Sequence, residues 1–213
     1  MPSCCDGEGY DAVFSDRFAK RVAKRYRRRG LNPTSSKMVD FLCENGVEGA
    51  NVLEIGGGVG EIHLELLRRG AAHVTNLEIS TSYEPEAAQL LEQSGMNGRV
   101  TRRFLDIAKS PDEVEPADIV VLHRVVCCYP DYAALLSAAG SHAKRLLVFS
   151  HPPSNVFSRT MFGAENTARR LRRQPFRAFV HPPDSMVSVL AGTGLTPRLE
   201  HRGWSWHVVG LER

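Results

Sequence analysis

A run of glycines and three acidic side chains, spread over one stretch of the chain, carry the clearest chemistry. The run is VLEIGGGVGE, residues 52–61. An apolar stretch of strand length ends at Ile55, the backbone turns on Gly56, Gly57 and Gly58, and a helix is expected to start near Gly60. Missing side chains there let a ligand approach the backbone at a helix N-terminus. In open α/β sheets that strand end is where ligands bind. The dinucleotide pattern G-x-G-x-x-G does not fit: counted from Gly56 its third glycine is Glu61, and counted from Gly58 it is His63. Glu54 precedes the glycines by two residues. A carboxylate is awkward beside a pyrophosphate and comfortable beside a cationic ligand, so a nucleotide with a sulfonium, an ammonium and no phosphate suits the loop better. Glu78, followed by Ile79, ends the next apolar run and can accept hydrogen bonds from both hydroxyls of a ribose. Asp106 ends a third run and can take the exocyclic amine of adenine, with Leu105 and Ile107 against the ring faces.

Histidines supply the candidate proton acceptors near neutral pH. His123 and His151 follow the fourth and fifth apolar runs, and His181 lies further on. For each of them a hydrogen-bonded structural role is the alternative. The cysteines are Cys4, Cys5, Cys43, Cys127 and Cys128. Their spacing, with or without His63, His123 and His151, matches no zinc pattern, so no metal is expected. Cys127 and Cys128 are read as small residues near a pocket wall.

These residues need a frame. The alternation of strand and helix is repeated five times: NVLEI then EIHLELLRRG, HVTNLEI then EPEAAQLLEQSG, RVTRRFLDI, ADIVVLHRVV then DYAALLSAAGSH, and AKRLLVFS. Such alternation predicts a parallel sheet covered on both faces, wound by right-handed crossovers. Before it, Ser35 or Ser36 is expected to cap a helix running to about Asn45, and Asp131 to cap the helix after Tyr129-Pro130. After it come a helical segment of mixed polarity, a helix opened by Pro182-Pro183, and two strands, TPRLEHR and SWHVVGLE, that can form a hairpin at the sheet edge. Trp204 and Trp206 alternate there and are expected to share a face packed on a helix.

The chain of 213 residues is long enough for one core without disulfide staples, and it is neither fibrous nor low in complexity. No window resembles a membrane span, and the acidic opening MPSCCDGEGYDAVF lacks a signal peptide's features, so a cytoplasmic location is expected. Charge is unevenly placed. Residues 14–30 hold eight Lys/Arg and one Asp, against a net charge of +3 for the whole chain, and Arg169, Arg170, Arg172 and Arg173 form a second cluster. Phe14, Phe18, Val22 and Tyr26 recur at i+4, the stripe of a single helix with a basic outer face. That face could be merely solvated, or could meet an anionic small molecule, a nucleic-acid backbone or a membrane surface. No aromatic–basic RNA-binding motif accompanies it.

The pattern E-x-G-G-G-x-G after the first strand, with acids ending the second and third, resembles class I S-adenosylmethionine-dependent methyltransferases. The resemblance covers roughly residues 45–150. It implies an α/β, Rossmann-like fold with a seven-stranded, mostly parallel sheet, an antiparallel last strand and helices on both faces. It implies S-adenosylmethionine as cofactor, with S-adenosylhomocysteine as product. Glu54, Gly56, Gly57 and Gly58 then serve the methionine side, Glu78 with Ile79 the ribose, Asp106 with Ile107 the adenine, and His123 faces the methionine part. The family more often has Asp where Glu78 stands. A narrower resemblance, in GYDAVFSDRFAKRVAKRYRRRG and LLRRGA, is to magnesium-protoporphyrin O-methyltransferase relatives, whose N-terminal helices form a lid. It implies that Tyr10, Tyr26 or one of Arg27 to Arg29 closes on the methionine carboxylate.

The expected organisation is a single domain over 1–213, with a helical lid (1–45), a cofactor core (46–150), a substrate cap (151–194) and a terminal hairpin (195–213). The expected activity is methyl transfer to a small-molecule acceptor, on oxygen, an in-line displacement in which the enzyme aligns the reactants and excludes water. A base is needed only if the nucleophile arrives protonated, and His123 and His151 are its candidates. Methyl transfer to RNA or protein through the basic helix, and a non-catalytic cofactor-binding module, stay open as alternatives.

Overall fold

The computed structural model describes residues 9–213, so Cys4, Cys5 and most of the acidic opening lie outside the described residues. Five strands follow in order, β1 (Asn51–Ile55), β2 (His73–Glu78), β3 (Val100–Phe104), β4 (Ala117–Leu122) and β5 (Ala143–His151), with an α-helix in every connection except that from β3 to β4, which holds only one short 3-10 turn. A hairpin of β6 (Thr196–Arg202) and β7 (His207–Glu212) closes the chain. The sheet order is β3-β2-β1-β4-β5-β7-β6, with β1 to β5 mutually parallel and β7 antiparallel to both neighbours. Thus β7 is the one reversed strand of a seven-stranded sheet.

Successive residues of a strand face opposite sides of the sheet, and both sides here are covered. Leu53, Val120, Leu122, Leu147, Phe149 and Val209 pack into one core with α6 (Tyr132–His142) and α8 (Pro183–Gly192). Val52, Ile119, Val121, Leu146, Val148 and Val208 pack into the other with α3 (Pro33–Glu44) and α4 (Glu61–Arg68). Burial on both faces is why the central strands are apolar throughout. The segment expected to form a substrate cap therefore divides. In α8, Met186 and Leu190 belong to the main core, while α7 (Val156–Leu171) stands over the strand ends with only Ser158 buried.

The basic N-terminal stretch differs from the single expected helix. Its helix, α2 (Asp16–Arg29), leaves out Phe14, which with Ser15 links it to a separate preceding turn, α1 (Tyr10–Val13). Ser15 is extended, which ends one helix and starts the next, and Phe14 turns its ring onto Tyr10, Phe18, Tyr83 and Phe176 instead of continuing the stripe. In α2, Ala19, Ala23 and Tyr26 are buried against α5 (Glu84–Ser94) and α4.

Two local expectations are corrected. The cap of α3 is Asn32, ahead of Ser35 and Ser36. Its Oδ1 accepts from the Thr34 and Ser35 amides at 2.9 and 3.1 Å, and the Ser35 hydroxyl oxygen accepts the Asn32 amide in return at 3.1 Å. Pro33 at the first helical position fixes that register. The tryptophans sit in the β6–β7 turn and share no helix-packed face: Trp204 is 94% exposed, and Trp206 lies under the Arg124 guanidinium at 4.8 Å. Asp131 does cap α6, accepting from the Ala134 amide at 3.0 Å.

The reciprocal cap is buried, so Asn32→Ala is expected to destabilise the fold by about 1–2 kcal/mol, while Asn32→Ser or Asn32→Asp is expected to keep most of the wild-type stability. Urea unfolding at constant slope measures it.

Candidate active site

Strand order reverses between β1 and β4, opening a crevice at their C-terminal ends. The glycine loop follows β1, and His123 and Arg124 follow β4. The loop is held from beneath. The Glu54 carboxylate meets His63 Nδ1 at 2.5 Å with both side chains buried, and Asn76 Nδ2 donates to the Glu54 carbonyl at 3.3 Å. A Cβ on Gly57 would collide with Asn76 and Glu54, and one on Gly60 with the His63 ring, where φ is also +92°. These contacts explain why the turn is glycine.

From the side the loop is held by Glu78. One carboxylate oxygen accepts the Gly58 amide at 2.5 Å, and the other accepts the Ile79 amide at 3.1 Å. Burial pushes the Glu78 carboxyl up to about 7, against the pull of these amides and of Arg102. Glu61, at the first position of α4, is also raised to about 7 by burial and then by Glu54, with Arg124 and Arg25 opposing.

The cavity above the loop is closed by the N-terminal helices: Tyr10, Phe14, Phe18 and Val22 line it opposite Gly56, Gly57 and Gly58, with Ile79, Tyr83, Arg124 and Tyr129 around the sides. The hydroxyl of Tyr10 donates to the Cys128 carbonyl at 3.0 Å, and Ser80 donates to Asp11 at 2.5 Å. Thus α1 touches both sides of the crevice. The other expected closing residues are engaged elsewhere. Tyr26 donates to Glu65 at 2.8 Å, Arg27 binds Glu86, Gln89 and Gln93 of α5, and Arg28 and Arg29 are exposed.

His123 lines the cavity. Its Nδ1 lies 2.9 Å from Ser150 Oγ, and the same oxygen accepts the Arg124 amide at 2.9 Å. A hydroxyl oxygen can accept two hydrogen bonds and donate one, so this contact serves either tautomer, and it leaves the other ring nitrogen, Nε2, on the far side. That nitrogen is buried without a hydrogen-bond partner among the described residues. Burial, and then the Arg124 charge, lower the pKa of His123 to about 3. It is a neutral imidazole at physiological pH.

The remaining candidates lie off the cavity. Asp106 is packed behind Tyr129, whose hydroxyl lies 2.9 and 3.1 Å from its two oxygens, and Lys109 pairs with it at 3.2 Å. Ile107 is fully buried in the main core. His151 is buried with Nδ1 donating to the Pro152 carbonyl at 2.9 Å, and burial lowers its pKa. His181 approaches the Tyr129 carbonyl at 3.0 Å through Nε2. Among the described residues no group of three His, Cys, Asp or Glu side chains could hold a metal ion.

Sequence reasoning missed Arg124, Glu61, Tyr83 and Tyr129. Arg124 has φ +60°, a conformation rare outside glycine and frequent at functional sites. Its place directly after His123 was its one signal. Glu61 was visible as the first helical residue after the glycines. Nothing in the sequence linked Tyr129 to Asp106.

A family model described as a methyltransferase domain matches residues 15–205. Among solved structures, the chain is similar to magnesium protoporphyrin IX methyltransferase from Synechocystis PCC 6803 with bound S-adenosylhomocysteine: identity is 22%, TM-score 0.70, with 95% of this chain and 99% of that one covered. An O-methyltransferase family protein from Burkholderia thailandensis matches at 18% identity and TM-score 0.71, over 96% of this chain and 60% of that one. An O-methyltransferase family 2 protein from Planctomyces limnophilus DSM 3776, in complex with apigenin, matches at 19% and 0.68, over 95% and 63%.

The raised pKa of Glu78 has a defined sign. Folded Glu78 holds its proton to about pH 7 and the free side chain only to 4.5, so its stabilisation is complete below 4.5 and is lost as pH rises through 7. The melting temperature of Glu78→Gln relative to wild type is therefore expected to climb between about pH 5 and about pH 8. Paired thermal melts at each pH measure the difference, and a pH-independent difference contradicts it.

Proposed function

The chain belongs to the methyltransferase-domain family, and from that membership we propose that it transfers a methyl group from S-adenosylmethionine to an oxygen atom of a small-molecule acceptor. The observation that carries this reading is the Glu78 carboxylate, fixed beside the Gly58 amide at the edge of a cavity walled by aromatic side chains. A buried carboxylate at the end of β2 suits a ribose diol. Glu54, Glu61 and Glu78 border the cavity against one arginine, a balance that suits a cationic ligand and disfavours a pyrophosphate. The glycine turn, which admits no Cβ at Gly57 or Gly60, lets a ligand lie against the backbone. The neighbour solved with S-adenosylhomocysteine points to the same cofactor.

When bound, S-adenosylmethionine supplies a methyl carbon already activated by its sulfonium. The protein has then to hold, align and dehydrate. Glu78 would accept the ribose hydroxyls, and Arg124 with Glu61 would pair with the carboxylate and ammonium of the amino-acid end. Tyr10, Phe14 and Phe18 keep water out. Asp106, engaged by Tyr129, would reach adenine only if that tyrosine turns aside or speaks for it. With its proton on Nε2, His123 would donate to the acceptor oxygen and orient it. A histidine that protonates only near pH 3 is a weak base, so the chemistry favours an acceptor that arrives ionised, such as a carboxylate or an acidic phenol. His151, away from the cavity, has a supporting place in the sheet edge.

The cofactor is tested by melting with S-adenosylhomocysteine, S-adenosylmethionine and NAD in parallel. At about 100 times Kd the two adenosyl compounds are expected to stabilise by about 2.7 kcal/mol, a rise of several degrees, and NAD to give none. Glu78→Ala is expected to abolish the shift. No shift with either adenosyl compound overturns the cofactor, and label appearing on nitrogen or carbon of every accepted substrate overturns the oxygen.

His123→Gln is expected to lower kcat by roughly ten- to a hundredfold, with no inflection near pH 6.5 in the wild-type profile for it to remove. An inflection there that vanishes in the variant would make His123 a base.

A further inference from the structure

We propose that α7, the tip of the β6–β7 hairpin and the basic outer face of α2 form a docking surface for an anionic lipid bilayer. Helix α7 carries the main observation. Phe157, Met161, Ala164, Ala168 and Leu171 follow a 4-3-4-3 spacing, the apolar stripe of an amphipathic helix, yet all five are exposed. Phe157 is 71% exposed and Leu171 81%. The opposite side of the helix is the one that packs: Phe162 joins the cluster around Tyr10 and Phe176, Asn166 exchanges hydrogen bonds with Ala178 at 2.7 and 2.9 Å, and Arg169 stacks over Phe176 at 4.9 Å. The stripe is therefore left over after the helix has been placed.

The hairpin tip adds to it. His207, at the start of β7, pairs with His151, at the end of β5. From that one pair the chain departs in two directions, through four residues to α7 and back through the turn to Trp204. Both leave the sheet at the same corner, so the 94% exposed Trp204 and the start of α7 lie on one side of the molecule. A tryptophan at a polar turn is the residue that favours the lipid–water boundary.

Charge identifies the partner. Residues 156–173 hold five basic side chains and one acidic, residues 16–29 eight and one. Together these segments carry +11 in a chain of net charge +3, so the rest is at −8. Packing of Tyr10 and Phe14 on Phe176 joins the two segments through α1. Basic residues flanking exposed aliphatic and aromatic side chains match an anionic interface, where each Lys or Arg near the surface adds attraction. A nucleic-acid backbone would use the arginines and leave Phe157, Leu171 and Trp204 without purpose. A second copy is disfavoured by repulsion between like basic segments. It is also disfavoured by size: a stripe about 24 Å long offers far less than the roughly 800 Å² per partner of a stable interface. Among the described residues no helix is long and apolar enough to cross a membrane, so α7 would lie on the surface.

The test is co-sedimentation of the full chain with vesicles of phosphatidylcholine containing about one third phosphatidylserine, against pure phosphatidylcholine. Binding to the anionic vesicles is expected to exceed binding to the neutral ones by roughly tenfold or more, and to fall as salt is raised. The double variant Phe157→Ser, Trp204→Ser is expected to lose roughly tenfold of that binding while keeping its melting temperature, since both side chains are exposed. It is also expected to keep its S-adenosylhomocysteine shift, which separates failure of this surface from failure of the cofactor site. Tryptophan emission should shift to the blue on anionic vesicles, and Trp204→Phe should remove the shift. Absence of vesicle binding, binding undiminished in the double variant, tighter binding to an RNA or DNA oligonucleotide that ignores the two substitutions, or a dimer that they dissolve would each overturn the proposal.

Discussion

A single buried carboxylate ties the two halves of the site together. Glu78 leaves the end of β2, reaches across to the Gly58 amide, and takes the Ile79 amide with its other oxygen. Taking an acid out of water is costly unless hydrogen bonds replace the lost hydration, and here backbone amides do so. The arrangement fixes the height of the glycine loop above the sheet. Glu54, His63 and Asn76 complete the support from below, each paired within the group. Loop, helix N-terminus and cavity-lining carboxylate are thus set by the protein's own contacts. Such preorganisation is what a methyl donor that is already activated asks of its enzyme.

The N-terminal wall of the cavity has a different physical basis. It is anchored by small residues and aromatics: Ala19 and Ala23 let α2 lie close to the core, and Phe14 fills the joint between α1 and α2. The helix separates its labour by face. Phe18 and Val22 point toward the cavity while the arginines and lysines point outward. One element therefore excludes water on the inside and gives the molecule its strong charge polarity on the outside.

Much of this was legible in the residues. Apolar runs of strand length, alternating with helical periodicity, identify β1, β4 and β5 because a parallel strand at the centre of the sheet is buried on both faces, while β3, with no buried residue, is legible only by its place in the alternation. Glycines at 56 to 58 mark the loop: a Cβ at Gly57 would strike Glu54 and Asn76, one at Gly56 would strike Val125, and Gly58 has a positive φ. What escaped depends on contacts between residues far apart. Asp106 has the spacing of a ligand-binding acid, but Tyr129, 23 positions away, covers it. The i+4 stripe from Phe14 to Tyr26 reads as one helix, because the bend at Ser15 is set by aromatic packing against Tyr83 and Phe176, which periodicity does not contain. Asn32 caps α3 ahead of two serines because Pro33 fixes the first turn. Trp204 and Trp206 alternate like a strand, but Gly203 and the turn around it release them from the ladder.

The four residues of α1 have a further consequence. A single turn of helix has no stability of its own, so Tyr10–Val13 is ordered only by what it touches. Its anchors are the Tyr10 hydrogen bond to the Cys128 carbonyl and the Ser80 hydrogen bond to Asp11, with the rings of Phe14 and Phe176 alongside. Ordering of that turn therefore places the Tyr10 ring on the cavity wall. The turn is thus tied to both walls of the crevice, while α2 is clamped separately to α4 and α5. The cover over the cavity is therefore built in two parts: one short turn that depends on its contacts, and one long helix seated on the fold beneath it.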